Sequence, residues 1–109
     1  MCRALKVLCV AEDARALEAL KRATVSAEWE LASGATTEEE ALAQLESERP
    51  HMVVAFGDQG GFVAAARQRF PALRIVTDRD LPGATVVASS LEEVRGALRA
   101  LPRPGGPVL

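Results

Sequence analysis

Two runs of consecutive apolar residues constrain most strongly what this chain can fold into. Residues 7–11 read VLCVA and residues 52–56 read MVVAF, with no polar residue in either run. A strand with one face in water alternates apolar and polar side chains, whereas a strand buried on both faces does not. The two runs therefore predict central strands of a parallel sheet. Each is far shorter than the roughly 20 residues of a membrane-spanning helix, so we expect no membrane association.

Amphipathic stripes separate the apolar segments. Leu17, Leu20 and Thr24 recur at spacings of three and four, and Thr37 with Glu40 forms a capping box that opens a second helix. A second capping box is predicted at Ser90. The predicted strands cover residues 5–11, 29–33, 52–56, 73–77 and 85–88, and the predicted helices cover residues 14–25, 38–49, 62–70 and 91–101.

This alternation of strands and helices predicts a flavodoxin-like α/β fold. It is a doubly wound, five-stranded parallel sheet with strand order 2-1-3-4-5 and helices on both faces. Only residues 78–84 connect the fourth and fifth strands. A helical crossover needs at least about 10–12 residues, so we expect no helix there. Residues 1–102 are predicted to form one domain, and residues 103–109 a Pro/Gly-rich tail or linker remnant.

Composition excludes several classes of function. The chain has 13 Lys and Arg against 15 Asp and Glu and no basic stripe, so we expect no nucleic-acid partner. Arg67 and Arg69 are expected to be solvated. Cys2 and Cys9 lack a C-x-x-C spacing and are predicted to be buried, reduced thiols of a cytoplasmic protein. We expect no cofactor and no enzymatic activity.

Five segments in order resemble the receiver domain of bacterial response regulators over residues 4–101. They are VLCV at 7–10, ELASGATTEEEAL at 30–42, PHMVVAF at 50–56, the stretch 71–77, and the Gly-Ala pair at 83–84. In that family, acids after the first and third strands bind Mg²⁺, and the third-strand Asp accepts a phosphoryl group. A hydroxyl residue after the fourth strand and a Lys after the fifth contact that group.

Carried over by position, the resemblance implies a degenerate pocket. The acid pair falls on Ala11 and Glu12, the phosphoacceptor on Phe56, the hydroxyl on Thr77, and the Lys near Ser89 or Ser90. Phenylalanine offers neither a nucleophile nor a metal ligand, and the sequence contains no Lys after residue 21. The resemblance therefore implies a pseudo-receiver that is not phosphorylated and that works in bacterial signalling through protein–protein contacts.

Acidic residues near the pocket leave alternatives open. Glu12, Asp13 and Asp58 are candidates for a vestigial cation site, although Glu12 and Asp13 also suit the first turn of a helix. Asp58 is a candidate for a displaced phosphoacceptor. A small-molecule sensor at the carboxyl-terminal edge of the strands is a further alternative.

The missing helix predicts an interaction surface. The first and last helices should cover one face of the sheet, and the second and third the other, which leaves apolar side chains uncovered near strands four and five. A protein partner or a second copy is expected to dock there through residues 78–84 and the fifth strand, with Asp78, Arg79, Leu81, Val86 and Val87 in contact. Trp29 is expected to pack at the edge of the core, with an exposed partner anchor as the alternative.

Overall fold

A computed structural model describes residues 5–27 and 29–100. The predicted tail at residues 103–109, and Cys2, lie outside the described residues. The strands are β1 (Leu5–Val10), β2 (Trp29–Leu31), β3 (Met52–Ala55), β4 (Arg74–Thr77) and β5 (Val86–Val87). The helices are α1 (Ala14–Thr24), α2 (Glu38–Glu48), α3 (Gly60–Arg69) and α4 (Val94–Ala100), with a 3₁₀ turn at Leu91–Glu93.

The five strands form one parallel sheet in the order β2-β1-β3-β4-β5. The predicted fold class and strand order are confirmed. Residues 78–85 contain no helix, so the predicted loss of the helix between the fourth and fifth strands is confirmed too. No helix among the described residues is both long enough and apolar enough to span a membrane.

Side-chain caps fix where the helices begin. Asp13 is the N-cap of α1, and its Oδ1 accepts a hydrogen bond from the Ala16 amide at 2.8 Å. Thr37 caps α2 in the same way, accepting from the Glu40 amide at 3.1 Å. The capping box expected at Ser90 does not form. The Ser90 side chain makes no cap bond, and Glu93 instead accepts from the amide of Ser89 at 3.0 Å.

The central strands bury side chains on both faces. Leu8, Val10, Val53 and Ile75 pack on the side of α2 and α3, and Val7, Cys9, Val54 and Val76 pack on the side of α1 and α4. Burial raises the pKa of the Cys9 thiol to about 11. Trp29 is 7 % exposed, and its Nε1 donates to the Thr24 carbonyl at 2.7 Å. Trp29 is thus a core residue, and its alternative reading as an exposed anchor is wrong.

The segment between β4 and β5 covers much of the face that we expected to be open. Leu81 is half-buried and packs against the core on the side of α2 and α3. Gly83 has a φ of +95°, and a Cβ there would lie 3.3 Å from Val63. Ile75 is fully buried, and Val86 is half-buried against the opposite core layer. The expectation of an extensive uncovered apolar face near strands four and five is therefore corrected. Of that face, Val87 is still exposed, at 42 %.

Arg67 holds this segment in place, contrary to the expectation that its side chain is solvated. Its guanidinium donates to the carbonyls of Pro71 and Leu73, both at 2.7 Å, and to the carbonyl of Gly83 at 2.7 and 3.1 Å. It also donates to the Thr85 hydroxyl at 3.2 Å. One side chain of α3 therefore joins the entrance of β4 to the entrance of β5, where a receiver-like fold would have a helix.

We predict that Arg67→Met destabilises the domain by about 2–3 kcal/mol, because several carbonyls lose a charged donor at once. Urea denaturation measures the change. Arg69→Met is the matched control. Arg69 lies two positions further along α3 and makes an exposed ion pair with Glu46, so its loss should cost about 0.5 kcal/mol. Equal effects of the two substitutions would contradict the role given to Arg67.

Candidate functional site

The carboxyl-terminal ends of the strands enclose a small cavity at one edge of the sheet. It has a volume of about 230 Å³ and lies between α1, the 3₁₀ turn and the residues that follow β1, β3 and β4. In open parallel sheets, ligands bind at this edge. The lining residues are Ala11, Glu12, Ala16, Ala19, Phe56, Gly57, Asp78 and Leu91.

Phe56 follows β3 directly and gives the cavity an apolar wall. Its amide donates to the Val10 carbonyl at 2.9 Å, which continues the pairing of β3 with β1. The ring is half-buried and packs against the core layer of Cys9 and Val54. The position that the sequence aligns with a nucleophilic carboxylate therefore holds a half-buried aromatic ring that packs against the core.

Gly57 allows the chain to pass close beneath Glu12. Its φ is +96°, and a Cβ at this position would lie 2.5–2.8 Å from the side chain of Glu12. A side chain at residue 57 would thus be strained and would also clash. Glu12 itself is exposed and lies over the backbone of the loop that follows β3.

Two hydrogen bonds tie the loop after β4 in place. The hydroxyl of Thr77, which is fully buried, donates to the carbonyl of Arg79 at 2.5 Å. Oδ2 of Asp78 accepts from the Gly57 amide at 3.1 Å and so connects the ends of β3 and β4. The Thr77 hydroxyl has its donor bond within its own loop, and the Asp78 carboxylate braces the neighbouring loop.

Arg79 places a positive charge among the carboxylates of this edge. Its Nε donates to Oδ1 of Asp78 at 3.1 Å, and Nη2 to Oδ2 at 3.4 Å. The pKa of Arg79 is raised above its usual value, first by the hydrogen bond and charge of Asp78 and then by the charges of Asp58 and Glu12. The acidic edge therefore carries its own counter-charge.

The structure separates the three acids that the sequence offered as cation ligands. Asp13 uses its carboxylate as the N-cap of α1, Asp58 is exposed, and Glu12 lies across Gly57. Within residues 5–27 and 29–100, no three His, Cys, Asp or Glu side chains lie close enough together to hold a metal ion. Glu12, Asp58 and Asp78 all act electrostatically on Arg79, yet they do not converge on one point. These residues do not fit the divalent cation that the receiver resemblance implies.

Ser89, at the position aligned with the family's Lys, is exposed, and its amide donates to Glu93. The pocket positions Ala11, Glu12 and Phe56 thus share one cavity, while Thr77 is buried behind it and Ser89 lies beyond it. Sequence reasoning assigned Asp78 and Arg79 to an interaction rim and missed their place at this edge. The sequence signal that could have placed them there is that Asp78 and Arg79, which carry opposite charges, directly follow the predicted fourth strand.

Comparisons of the sequence find no match. No family model matches this chain, and no curated protein matches it. The structure does have close counterparts. The signal receiver domain of an HD domain-containing protein from Pseudomonas fluorescens superposes with a TM-score of 0.71 and 20 % identity, over 89 % of this chain and 93 % of that one.

Two further solved structures superpose on this chain to a similar extent. The chemotaxis response regulator CheY4 of Vibrio cholerae matches with a TM-score of 0.71 and 19 % identity, over 89 % of this chain and 98 % of its own. The isolated REC domain of RcsB from Salmonella enterica matches with a TM-score of 0.73 and 14 % identity, over 88 % and 86 %. This chain has the receiver-domain fold. At these identities the likeness concerns the fold alone.

The burial of Phe56 generates a prediction. Phe56→Asp, which introduces the acid that the resembled receiver domains have at this position, should destabilise the domain by about 2–4 kcal/mol, because it puts a carboxylate against the apolar core layer. Thermal and urea denaturation measure the loss. Phe56→Leu is the control, with an expected cost of about 1 kcal/mol. A Phe56→Asp variant as stable as the parent would show that the site admits water.

Proposed function

We propose that this chain is a pseudo-receiver domain, which takes part in bacterial signalling by binding another protein and is not phosphorylated. The observation that carries the proposal is the half-buried aromatic ring of Phe56, which packs against the core at the position that the resemblance aligns with the phosphoacceptor. The proposal includes the absence of catalysis by the domain itself. It also includes a cytoplasmic location, which agrees with the buried, unpaired thiol of Cys9.

The arrangement around Phe56 supports the loss of phosphoryl chemistry. A phosphoryl group needs a nucleophile to accept it and cations to stabilise its charge. Asp58 is the nearest acid along the chain after β3, but it is exposed. The positive charge at this edge belongs to Arg79, whose guanidinium is bound to Asp78.

The size of the cavity favours protein binding over small-molecule sensing. Its volume of about 230 Å³ is below the range of about 300–1,000 Å³ that is typical of ligand pockets. The docking surface that we propose is the open edge of the sheet at β5, with residues 78–84 beside it. Val87 offers an exposed apolar side chain there, and Asp78 and Arg79 provide a polar rim. A protein partner is the main candidate for this surface, and a second copy is the alternative.

The chemical part of the proposal has a direct test. After incubation with acetyl phosphate and Mg²⁺, the intact mass of the protein should be unchanged, because no acceptor lies within a phosphoryl-binding site. Asp58→Asn is measured in parallel. A phosphoryl mass increment in the parent protein that is lost in Asp58→Asn would assign the displaced-acceptor function instead.

The docking surface is tested by substitution. Val87→Lys should abolish capture of the partner by the immobilised domain from an extract of its native cell, because it puts a charge into the contact, and it should leave the melting temperature unchanged because Val87 is exposed. Val25→Lys, at the exposed C-cap of α1 on the far side of the sheet, is the control and should retain capture. Capture that Val87→Lys leaves intact would remove the β5 edge as the docking surface.

A further inference from the structure

The cavity at the carboxyl-terminal edge of the strands combines an apolar lining with two carboxylates. The carboxylates belong to Glu12 and Asp78. Leu91, at the start of the 3₁₀ turn, is 37 % exposed, so water still reaches a large apolar side chain of the lining. The apolar side chains of the lining are Ala11, Ala16, Ala19, Phe56 and Leu91.

The two carboxylates differ in how free they are to bind a ligand. Both oxygens of Asp78 are in use, because Oδ2 accepts from the Gly57 amide and each oxygen accepts from Arg79. Glu12 is exposed, and within residues 5–27 and 29–100 it has neither a hydrogen bond nor an ion-pair partner. Glu12 therefore provides the open acceptor of this cavity.

The charges around the cavity do not balance. The carboxylates of Glu12, Asp58 and Asp78 all act on Arg79, whose pKa they raise, but Arg79 forms its ion pair with Asp78. One guanidinium thus offsets one of three carboxylates, and this edge keeps an excess of negative charge. Such an edge attracts a cationic ligand and repels an anionic one.

The size and lining of the cavity favour one long cationic side chain. Its volume of about 230 Å³ holds about seven water molecules, which is close to the space that such a side chain fills. An arginine combines an aliphatic stem, which packs on apolar walls, with a weakly hydrated guanidinium, which stacks on aromatic rings and donates to carboxylates. A guanidinium also needs no convergent set of ligands, unlike a metal ion.

We propose that this cavity binds an arginine side chain of the partner protein, an inference that rests on the proposed function. The guanidinium donates to the carboxylate of Glu12 and lies against the ring of Phe56, and the aliphatic stem covers Leu91. Asp78 belongs both to this cavity and to the polar rim of the docking surface at β5. One partner can therefore cover Val87 and insert its arginine beside it.

Titration with a blocked Gly-Arg-Gly peptide, followed by amide chemical shifts, tests the cavity without the partner. The signals of Phe56, Gly57 and Ala19 should shift, with a dissociation constant in the millimolar range that is typical of a single side chain. The same peptide with citrulline in place of arginine is the control. Citrulline has nearly the same shape but no charge, so it should cause no such shifts.

Two pairs of variants separate this cavity from the general charge of the edge. Glu12→Gln should weaken binding of the arginine peptide at least about threefold, whereas Asp58→Asn, which removes the same charge outside the lining, should change it much less. Ala19→Leu should block the cavity without changing any charge. Ala14→Leu, at another exposed alanine of α1 that does not line the cavity, should leave binding unchanged. Circular dichroism verifies that each variant keeps its helices.

Capture of the partner from the cell extract tests whether the bound arginine belongs to that protein. Glu12→Gln should recover less partner than Asp58→Asn. Normal capture by Glu12→Gln, together with loss of capture in Val87→Lys, would remove the arginine site and leave the docking surface in place. Capture that survives Val87→Lys would remove the docking surface, while the peptide titration still decides on the cavity.

Three results of the titration would overturn the proposal. The first is an arginine peptide that leaves the signals of Phe56 and Gly57 unshifted. The second is a citrulline peptide that binds as well as the arginine peptide. The third is equal binding by the parent protein and by Glu12→Gln or Ala19→Leu.

Discussion

The burial of three central strands on both faces is the constraint on which the rest of this structure depends. β1, β3 and β4 place consecutive apolar side chains alternately above and below the sheet, so both sides must be covered. α1 and α4 cover one side, and α2 and α3 the other. Within residues 5–27 and 29–100, the polar loops lie at the two ends of the strands. A site that needs polar groups beside a rigid frame forms at one of these ends, where Phe56 and Asp78 leave their strands.

The parts of the fold that follow from local pattern could be predicted. The apolar runs at residues 7–11 and 52–56 gave the central strands, and the shortness of residues 78–84 excluded a helix. The extent of β5 could not be predicted in this way. Thr85 was expected in the strand, but its hydroxyl accepts the Ile75 amide at 3.0 Å and its own amide donates to the Ile75 carbonyl at 2.8 Å. A side chain therefore replaces part of the ladder, and β5 has only two residues.

In the candidate site, too, some features follow from the local sequence pattern and others do not. Asp13 as a helix cap and Phe56 as a ring over the cavity follow from their positions relative to strand and helix. The bond from Gly57 to Asp78 does not, because it depends on the path of two loops that are 21 residues apart in sequence. The role of Arg67 was hidden for a related reason. An arginine on a helix is usually solvated, and its carbonyl acceptors come from segments that lack a recognisable pattern.

Between β4 and β5, where a receiver-like fold has a helix, this domain has the guanidinium of Arg67 instead. This difference affects how this side of the domain unfolds locally. A packed helix holds its neighbours through many small contacts, which can be lost one after another. Here the entrances of β4 and β5 and the end of α3 meet at the nitrogen atoms of Arg67. Separation of β5 from the sheet requires the Arg67 side chain to break its hydrogen bonds to Gly83 and Thr85. The loss of these bonds also destabilises the C-terminal end of α3 and the N-terminal end of β4. The three segments therefore form a single cooperative unit of local unfolding, whose stability is concentrated in one residue.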